Sequence, residues 1–507
     1  MKKLWKKLLA VTTAVMMAIT LLPAMANANA TDGKGSVTII KNGEKSDEFL
    51  AGAKFSFYKI ASITNSEGKD WKYTVEEAYR EKLDDNGIAK NLNDLPSSAW
   101  EAEIDVLAAI NATAIKESKA SAEKTGSTGA TELPLGVYLV KETTTPAGYV
   151  ASKPFIVSVP STDNYDTAGK EGTEFIYDIT AKPKNSKMSV DKTIVNEDKT
   201  AYIGGFVEYK VETQIPKYGT EYTNPVFNIY DKMSNGLSFV NDAAHKLKVF
   251  VGGTEIVEGE NTYTLATNGL SDEKTFEIQF AKAFLENKEN KGKKVEVTYY
   301  AQVNKNAVYI NENSANITYQ NKPGETTDAT PSEKNVYTYG IDLTKKGDKS
   351  ADADGLDGAE FTLAVANGEM ISILVNGTKV DVNGNSKDEF RTTTVGIKKG
   401  KLVFKGLKAG TYTLTETKSP SGYSLAKNPI TIVITANKDG SFASATVNEN
   451  TVTNDVKDGI VPVGLQNKSG FSLPATGGMG TYLFTIGGLV IMAGAALLLI
   501  ASRKRRA

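Results

Sequence analysis

Residues 410–417 read GTYTLTET, and a turn signal, PSGY, follows at residues 420–423. The first segment places apolar and polar side chains alternately, which is typical of a β-strand with one buried face. The same order recurs upstream, where GVYLVKET occupies residues 136–143 and PAGY occupies residues 146–149. Two separated copies of one strand-and-turn pattern predict two copies of one β-sandwich, with a different domain between them.

The segment between the two copies, residues 187–336, also alternates over most of its length. One predicted inward face belongs to five residues of a single strand: Val295, Val297, Tyr299, Ala301 and Val303. Turn signals such as SNG at residues 234–236 interrupt the strands. Many short alternating strands separated by turns predict an immunoglobulin-like sandwich.

Residues 31–186 also consist mostly of predicted strands, with one helical exception. Between residues 96 and 123, apolar side chains recur at helical spacing: Trp100, Ile104, Leu107, Ala108 and Ile115. Ser97 or Ser98 provides an N-cap for this helix. We therefore predict an all-β protein of three tandem immunoglobulin-like β-sandwich domains, with a helical insertion in the first. The predicted domains occupy residues 31–186, 187–336 and 337–470.

Both ends of the chain carry addressing signals. Residues 1–30 combine basic residues, an apolar stretch and A-x-A cleavage sites, which is the order of a secretory signal peptide. Residues 471–507 contain the sequence LPATG, an uncharged apolar run at residues 482–501, and a basic tail. The run is long enough to cross a bilayer as a helix, with the basic tail in the cytoplasm. We therefore expect an exported chain whose precursor is held transiently in the membrane.

The composition excludes several classes of function. The chain has 59 basic and 60 acidic residues and a net charge of −1, which gives no electrostatic basis for binding nucleic acid. It has no cysteine and one histidine, His245, which excludes disulfide bracing and the common zinc clusters. His245 lies in a polar, loop-like stretch at residues 241–245, which favours a surface histidine over the catalytic histidine of a Ser-His-Asp site. The acidic loop at residues 348–355 lacks the closing carboxylate of a calcium loop, because Phe361 occupies that position. We expect no metal, no cofactor and no enzymatic turnover of an external substrate.

Three chemically active side chains occupy inward positions in the last domain. Lys345, Glu416 and Asn467 each share a strand face with apolar neighbours. Burial favours the neutral amine of a lysine and the neutral acid of a glutamate. A neutral amine can attack the asparagine side-chain carbonyl while the acid shuttles protons to the departing ammonia. The alternative is a simple buried salt bridge, and the residue pattern alone leaves both interpretations open.

The order of these residues resembles the CnaB-type domains of Gram-positive pilins. Lys345 precedes the segment YTLTETKSPSGY, which contains Glu416, and LQNKSGFSLPATGG follows with Asn467. The resemblance implies that the lysine and the last-strand asparagine form an isopeptide bond promoted by the glutamate. Asn454 is the rival acceptor, and Asn467 is preferred because its spacing to LPATG is similar to that of the family.

The middle domain contains a related set, and it resembles the CnaA-type sandwich of pilins. Lys192 lies on its first predicted strand, Asp231 follows on a later one, and Asn313 lies near its end. Alternation places Asn313 on the same face as Ala315, whereas Asn316 lies on the opposite face. The resemblance implies that Asp231 takes the role of the glutamate in a bond between Lys192 and Asn313.

The first domain offers a third set, Lys41, Glu142 and Asn185. Its glutamate segment, LVKETTTPAGY, is similar to that of the CnaB-type family. Members of this family differ in whether the first domain is cross-linked. The sequence therefore leaves a bond between Lys41 and Asn185 open.

Lys184 lies directly before this asparagine, in a segment that resembles the pilin motif (YPKN) of sortase-assembled major pilins. The motif here reads KPKN, so Lys182 stands where an aromatic residue is usual. Together with the sorting signal, this resemblance identifies the chain as similar to a major (backbone) pilin. It implies that a sortase cleaves between Thr476 and Gly477 and joins Thr476 to Lys184 of the next subunit.

The sorting signal, of the LPxTG type, consists of Leu473, Pro474, Thr476 and Gly477. It implies a pilin-specific sortase, other copies of this chain in a head-to-tail filament, and a housekeeping sortase that attaches the filament to peptidoglycan. Minor pilins and host surface or matrix proteins are further expected partners. The alternatives are a wall-anchored adhesin that binds host matrix and a minor or basal pilin. We expect the chain at the cell surface, in a pilus shaft covalently anchored to the cell wall.

Overall fold

The computed structural model describes residues 33–66, 70–80, 104, 106–162, 175–196, 199–219, 221–383, 388–396, 398–452, 456–470 and 492. Contacts divide the chain into two compact units. The first comprises residues 1–197, 207–301 and 312–335, and the second comprises residues 198–206, 302–311 and 336–507. Nearly all the regular structure is β-strand, which confirms the predicted all-β class.

The predicted first sandwich lies in the first unit. Its strands are β1 (Lys34–Ile40), β2 (Lys54–Ser66), β3 (Asp70–Val75), β4 (Lys116–Glu117), β5 (Ser127–Pro134), β6 (Gly136–Thr144), β7 (Tyr149–Val150), β8 (Phe155–Val159), β9 (Ser161–Thr162), β10 (Phe175–Ile176), β11 (Asp178–Ala181) and β12 (Ser186–Lys187). One sheet has the order β11-β1-β5 and another the order β3-β2-β6-β8, with β4 beside β2. Side chains of both sheets, including Val37, Phe55 and Tyr138, form one buried core.

Helical residues occur in the predicted insertion, and they pack as an amphipathic segment should. Residues 106–108 are helical. Leu107 and Ala108 are buried in a cluster with Ile60 and Ile63 of β2. Residues 96–103, which include the predicted N-cap, lie outside the described residues.

The predicted end of this helix, near residue 123, is wrong. The helical residues end by residue 109, and β4 pairs in antiparallel fashion with β2. The backbone N–H of Ile115 donates to the carbonyl oxygen of Phe57 at 2.9 Å, and Ile115 is 45% exposed. The free edge of β2 offers hydrogen-bond acceptors to this segment, so extended backbone replaces the helix that the apolar spacing predicts.

The predicted middle sandwich also lies largely in the first unit. Its elements are β13 (Asp191–Ile194), β14 (Phe206–Gln214), β15 (Phe227–Met233), β16 (Leu237–Val240), β17 (Lys248–Val251), β18 (Thr254–Ile256), β19 (Tyr263–Ala266), β20 (Phe276–Phe280), a helix (Lys282–Glu286), β21 (Lys294–Val303), β22 (Ile310–Lys322), β23 (Glu325–Asp328) and β24 (Ser332–Tyr337). The sheet orders are β13-β14-β21-β17-β18, with β16 beside β21, and β19-β20-β15-β22-β23, with β24 beside β22. Alternate residues of β21 are buried, as the sequence pattern predicts.

The predicted last sandwich lies in the second unit. Its strands are β25 (Tyr339–Gly347), β26 (Glu360–Val365), β27 (Ile371–Val375), β28 (Thr378–Val382), β29 (Phe390–Arg391), β30 (Thr393–Val395), β31 (Lys398–Leu407), β32 (Gly410–Lys418), β33 (Ile430–Ala436), β34 (Phe442–Val447), β35 (Asn450–Val452) and β36 (Ile460–Asn467). Two 3-10 turns lie at Ser350–Asp352 and Ala366–Gly368. The sheet orders are β28-β27-β31-β25-β36, with β30 beside β31, and β29-β26-β32-β33-β34-β35. A single apolar core that includes Leu343, Phe361 and Leu414 lies between them.

Candidate functional site

The lysine and the asparagine of the last domain lie on adjacent parallel strands. Strands β25 and β36 pair so that Lys345 is opposite Leu465 and Gly347 is opposite Asn467. Side chains two residues apart on a strand point to the same face of the sheet. Lys345 and Asn467 are both buried. The register therefore brings the amine and the amide to neighbouring positions on one inner face.

Glu416 contacts the asparagine from β32, a strand of the other sheet. The amide nitrogen Nδ2 of Asn467 donates to the two carboxyl oxygens of Glu416 at 2.9 Å (Oε1) and 2.8 Å (Oε2). The Nζ of Lys345 donates to the carbonyl oxygen of Lys346 at 2.9 Å. Burial lowers the pKa of Lys345, while the charge of Glu416 opposes this shift. The amine is thus biased toward its nucleophilic form, and the carboxyl touches the nitrogen that a cross-linking reaction would expel.

The first domain repeats this register between the parallel strands β1 and β11. Ile39 is opposite Ala181, and an isolated parallel bridge between Asn42 and Lys184 continues the same alignment. This alignment places Lys41 opposite position 183, which is two residues before Asn185. The two repeated domains therefore share one geometric relation between lysine and asparagine.

One carboxylate contacts both the amine and the amide in the first domain. The Nζ of Lys41 lies 3.0 Å from Oε2 of Glu142, and Nδ2 of Asn185 donates to Oε1 at 2.9 Å. All three side chains are buried. Burial lowers the pKa of Lys41, and its attraction to Glu142 partly offsets that shift. The three residues that the sequence left open thus form one contiguous site.

A backbone N–H holds each of these two glutamates in place. The N–H of Ser152 donates to Oε2 of Glu142 at 2.8 Å, and the Ser152 hydroxyl donates to the same oxygen at 2.9 Å. The N–H of Ala426 donates to Oε2 of Glu416 at 2.8 Å. Both anchors lie ten residues after their glutamate. Sequence reasoning missed them, although this equal spacing in the two repeats was a usable signal.

The middle domain brings together Lys192 of β13, Asp231 of β15 and Asn313 of β22, all three of them buried. The Nζ of Lys192 lies 2.5 Å from Oδ2 of Asp231. Burial lowers the pKa of Lys192 to about 8 despite the attraction of Asp231, and burial raises the pKa of Asp231. Asn316 lies on the opposite face, as alternation predicts, and donates to the carbonyl oxygen of Ala329 at 3.0 Å.

A tyrosine that sequence reasoning assigned only to the core completes this middle site. The hydroxyl of Tyr299 donates to Oδ2 of Asp231. It accepts from Nζ of Lys192 at 2.5 Å and from Nδ2 of Asn313 at 3.3 Å. The ring of Tyr209 stacks on that of Tyr299 with a centroid distance of 5.5 Å. Alternation marked Tyr299 as inward, but nothing in the sequence separated it from its apolar neighbours.

Lys184 differs from the buried lysines, because its side chain is exposed. It stands between Pro183 and Asn185, which are both buried. The Nζ of Lys184 donates to the carbonyl oxygen of Glu44 at 3.5 Å. Strand alternation thus directs the amine of Lys184 outward and the amide of Asn185 into the core.

Several predicted features lie outside the described residues. These are the signal peptide, Asn454, and the sorting-signal residues Leu473, Pro474, Thr476 and Gly477. The predicted apolar run at residues 482–501 is also outside them, apart from residue 492. Within the described ranges, no helix combines the length and the apolar character needed to span a membrane.

Three models of known families match the chain. One, described as a prealbumin-like fold domain, matches residues 35–173 and 340–450, in agreement with the predicted repeat. Another, described as Gram-positive pilin backbone subunit 2, Cna-B-like domain, matches residues 203–323. The LPXTG cell wall anchor motif matches residues 466–507. The Cna-B-like description of the middle match differs from the resemblance to the CnaA type, and that subtype stays a prediction.

Relatives of known function and solved structures agree with these matches. The chain is 30% identical over 408 residues to a fimbrial subunit type 2 of Actinomyces naeslundii, covering 73% of this chain and 68% of that protein. Its fold is similar to that of the T6 backbone pilin of serotype M6 Streptococcus pyogenes, described as a modular three-domain structure, with a TM-score of 0.55, 18% identity and coverage of 87% and 99%. It is also similar to the major pilin SpaA of Corynebacterium diphtheriae, with a TM-score of 0.50, 20% identity and coverage of 86% and 100%. The description of that structure refers to a modular pilus assembly and to stabilizing isopeptide bonds.

These findings confirm the family and the fold that the sequence predicts. The anchor motif places the chain on the cell wall, and the fimbrial relatives make it a structural subunit rather than an enzyme. We conclude that the chain belongs to the backbone subunits of sortase-assembled, cell-wall-anchored pili of Gram-positive bacteria.

Proposed function

We propose that this chain is the repeating subunit of a covalent pilus shaft, in which a sortase joins Thr476 of one subunit to Lys184 of the next. The observation that carries this proposal is the exposed amine of Lys184 beside the buried Asn185. Asn185 is held by its hydrogen bond to Glu142. The segment between β11 and β12 is therefore fixed, and it presents a primary amine to solvent, where an enzyme-bound acyl group can reach it.

The joining reaction needs an acyl donor and a nucleophile on each subunit. A sortase that recognises Leu473 and Pro474 attacks the Thr476 carbonyl with its thiolate, breaks the bond to Gly477 and retains a thioester. The neutral amine of Lys184 then attacks the thioester carbonyl, loses a proton and releases the thiolate. Because the acyl donor, Thr476, and the nucleophile, Lys184, are different parts of the subunit, repetition of the reaction gives an open head-to-tail filament.

We further infer that one internal isopeptide bond closes each domain. The bonds join Lys41 to Asn185, Lys192 to Asn313 and Lys345 to Asn467. In each, the neutral amine attacks the asparagine side-chain carbon, the bond to Nδ2 breaks and one ammonia leaves. The acids that move the proton are Glu142, Asp231 and Glu416. The buried contacts, the lowered lysine pKa values and the isopeptide bonds named for the C. diphtheriae pilin support this inference.

The same proposal assigns partners and domain boundaries. When a housekeeping sortase supplies a peptidoglycan amine in place of Lys184, the filament becomes attached to the wall. Minor pilins and host surface or matrix proteins are the remaining partners. The proposed domains are residues 31–186, 187–336 and 337–470, and each contains one lysine, one acid and one asparagine of the inferred bonds.

The substitution Lys184→Ala tests the joint between subunits. We expect only monomer on denaturing gels of wall extracts, while the wild type gives a ladder of high-mass polymer. Lys187→Ala is the matched control, because Lys187 is an exposed lysine three residues downstream and lies outside the KPKN motif. A ladder that persists in Lys184→Ala contradicts the assignment. The unpolymerised wild-type and Lys184→Ala chains should have equal intact masses apart from the substitution. Equal masses verify that the internal bonds are kept, and with them the fold that these bonds require.

A further inference from the structure

The acid of the middle domain is one methylene shorter than the acids of the other two domains. In the first and last domains the glutamate carboxyl accepts directly from the asparagine Nδ2, at 2.8 to 2.9 Å. Asp231 has Lys192 and Tyr299 as partners of its Oδ2. Among the hydrogen bonds of the described residues, none joins Asp231 to Asn313, so the aspartate does not hydrogen-bond the group that must leave.

The hydroxyl of Tyr299 occupies the gap left by the shorter acid. It contacts Nζ of Lys192 at 2.5 Å, Oδ2 of Asp231, and Nδ2 of Asn313 at 3.3 Å. These are the nucleophile, the acid and the leaving nitrogen of the inferred bond. Tyr299 is fully buried, so no bulk water competes for these contacts.

We propose that Tyr299 is a catalytic residue of the middle domain, whose hydroxyl relays a proton from Asp231 to the departing nitrogen of Asn313. This inference rests on the proposed Lys192–Asn313 cross-link. It assigns to an aspartate and a tyrosine together the task that a single glutamate performs in the other two domains.

The relay balances in protons and bonds. The neutral amine of Lys192 attacks Cγ of Asn313 and forms the new C–N bond. Asp231 accepts a proton from the attacking nitrogen and passes one to the oxygen of Tyr299. Tyr299 gives its own proton to Nδ2, the Cγ–Nδ2 bond breaks, and ammonia leaves. Both Asp231 and Tyr299 finish in their starting protonation states.

The surroundings of Tyr299 suit a proton donor with a fixed position. Burial raises its pKa well above the usual range of tyrosine, so the hydroxyl keeps its proton at neutral pH. The ring stacks on Tyr209 and meets the ring of Phe276 edge-on, with a centroid distance of 4.9 Å. Aromatic packing on two sides limits rotation of the ring and holds the oxygen among its three partners.

The substitution Tyr299→Phe tests the relay, because it removes the hydroxyl and keeps the packed ring. Loss of a positioned proton donor slows such a step by roughly 10² to 10⁴-fold. Peptide mapping of the secreted chain should therefore find the Lys192–Asn313 bond incomplete and still forming over time. The Lys345–Asn467 bond of the same molecules should be complete.

Tyr319→Phe is the matched control, since Tyr319 is an equally buried ring of the same domain. We expect its middle-domain bond to be complete. If the middle-domain bond of Tyr299→Phe forms at the wild-type rate, the relay is wrong and the proposed cross-link still stands. A wild-type chain without the Lys192–Asn313 bond overturns the cross-link itself, and the relay with it.

A second substitution separates the relay from a general loss of folding. Adding Asp231→Glu to the Tyr299→Phe chain lengthens the acid by the methylene that the other two domains have. We expect this double variant to recover the middle-domain bond, because the longer carboxyl reaches Asn313 directly. Failure to recover it contradicts the argument from reach.

Discussion

Replacing Glu416 by glutamine should prevent the cross-link of the last domain while preserving its packing. Glutamine keeps an oxygen that can accept from Nδ2 of Asn467 and from the N–H of Ala426, the present partners of the carboxyl. It has no acidic proton to give to the departing ammonia. Glu416→Gln should therefore remain folded, retain the unreacted Lys345, and be one ammonia heavier in this domain.

The loss of stability follows from the size of the loop that the bond closes. The bond between Lys345 and Asn467 spans 122 residues. In the chain-entropy estimate for a covalent cross-link, a loop of this size stabilises the fold by about 5 kcal/mol. With a urea dependence of about 2 kcal/mol per molar, the unfolding midpoint of the domain should fall by about 2.5 M.

Intact-mass measurement and urea unfolding of the same preparation provide the assay. Glu389→Gln is the control, because Glu389 is an exposed glutamate of the same domain and should change neither quantity beyond the substitution itself. If Glu416→Gln loses the same ammonia as the wild type, Glu416 has no role in bond formation. If the bond is absent and the midpoint is unchanged, the bond does not brace the domain.

Two further predictions concern the other domains. In the variant Asn313→Ala, Lys192 stays unreacted, and burial lowers its pKa from 10.5 to about 8. Between these two pH values the unfolded chain binds more protons than the folded chain. The free energy of unfolding should therefore rise by about 1 to 2 kcal/mol from pH 8 to pH 9.5. The control is the same chain with Lys192→Met, and equal pH profiles for the two contradict the lowered pKa. Lys41→Met should remove one ammonia loss and still polymerise through Lys184, because the hydrogen bond between Asn185 and Glu142 remains; a missing polymer ladder would contradict the separate roles of the cross-link and of Lys184.

Much of the site could be predicted because strand alternation fixes which face a side chain occupies. Lys345, Glu416 and Asn467 alternate with apolar residues, and all three are buried. The same rule separated Asn313 from Asn316. Because strand alternation is a local property of the sequence, it predicts these faces without any knowledge of which strands pair.

The features that could not be predicted depend on tertiary neighbours. The prediction of a helix that reaches residue 123 is wrong, because apolar spacing carries no information about the free edge of β2. Tyr299 has the same period as the purely structural residues of β21, and only the convergence of β13, β15 and β22 on its hydroxyl distinguishes it. Ser152 lies in a turn-rich segment, where its backbone N–H becomes an anchor only after Glu142 is placed beside it.

The intact mass of the secreted ectodomain, residues 31–470, tests the central claim most directly. Each Lys–Asn bond releases one ammonia, and the sets around Glu142, Asp231 and Glu416 predict three. The measured mass should therefore be three ammonia molecules below the mass calculated from the sequence. A mass equal to that of the unmodified chain would contradict the account in all three domains.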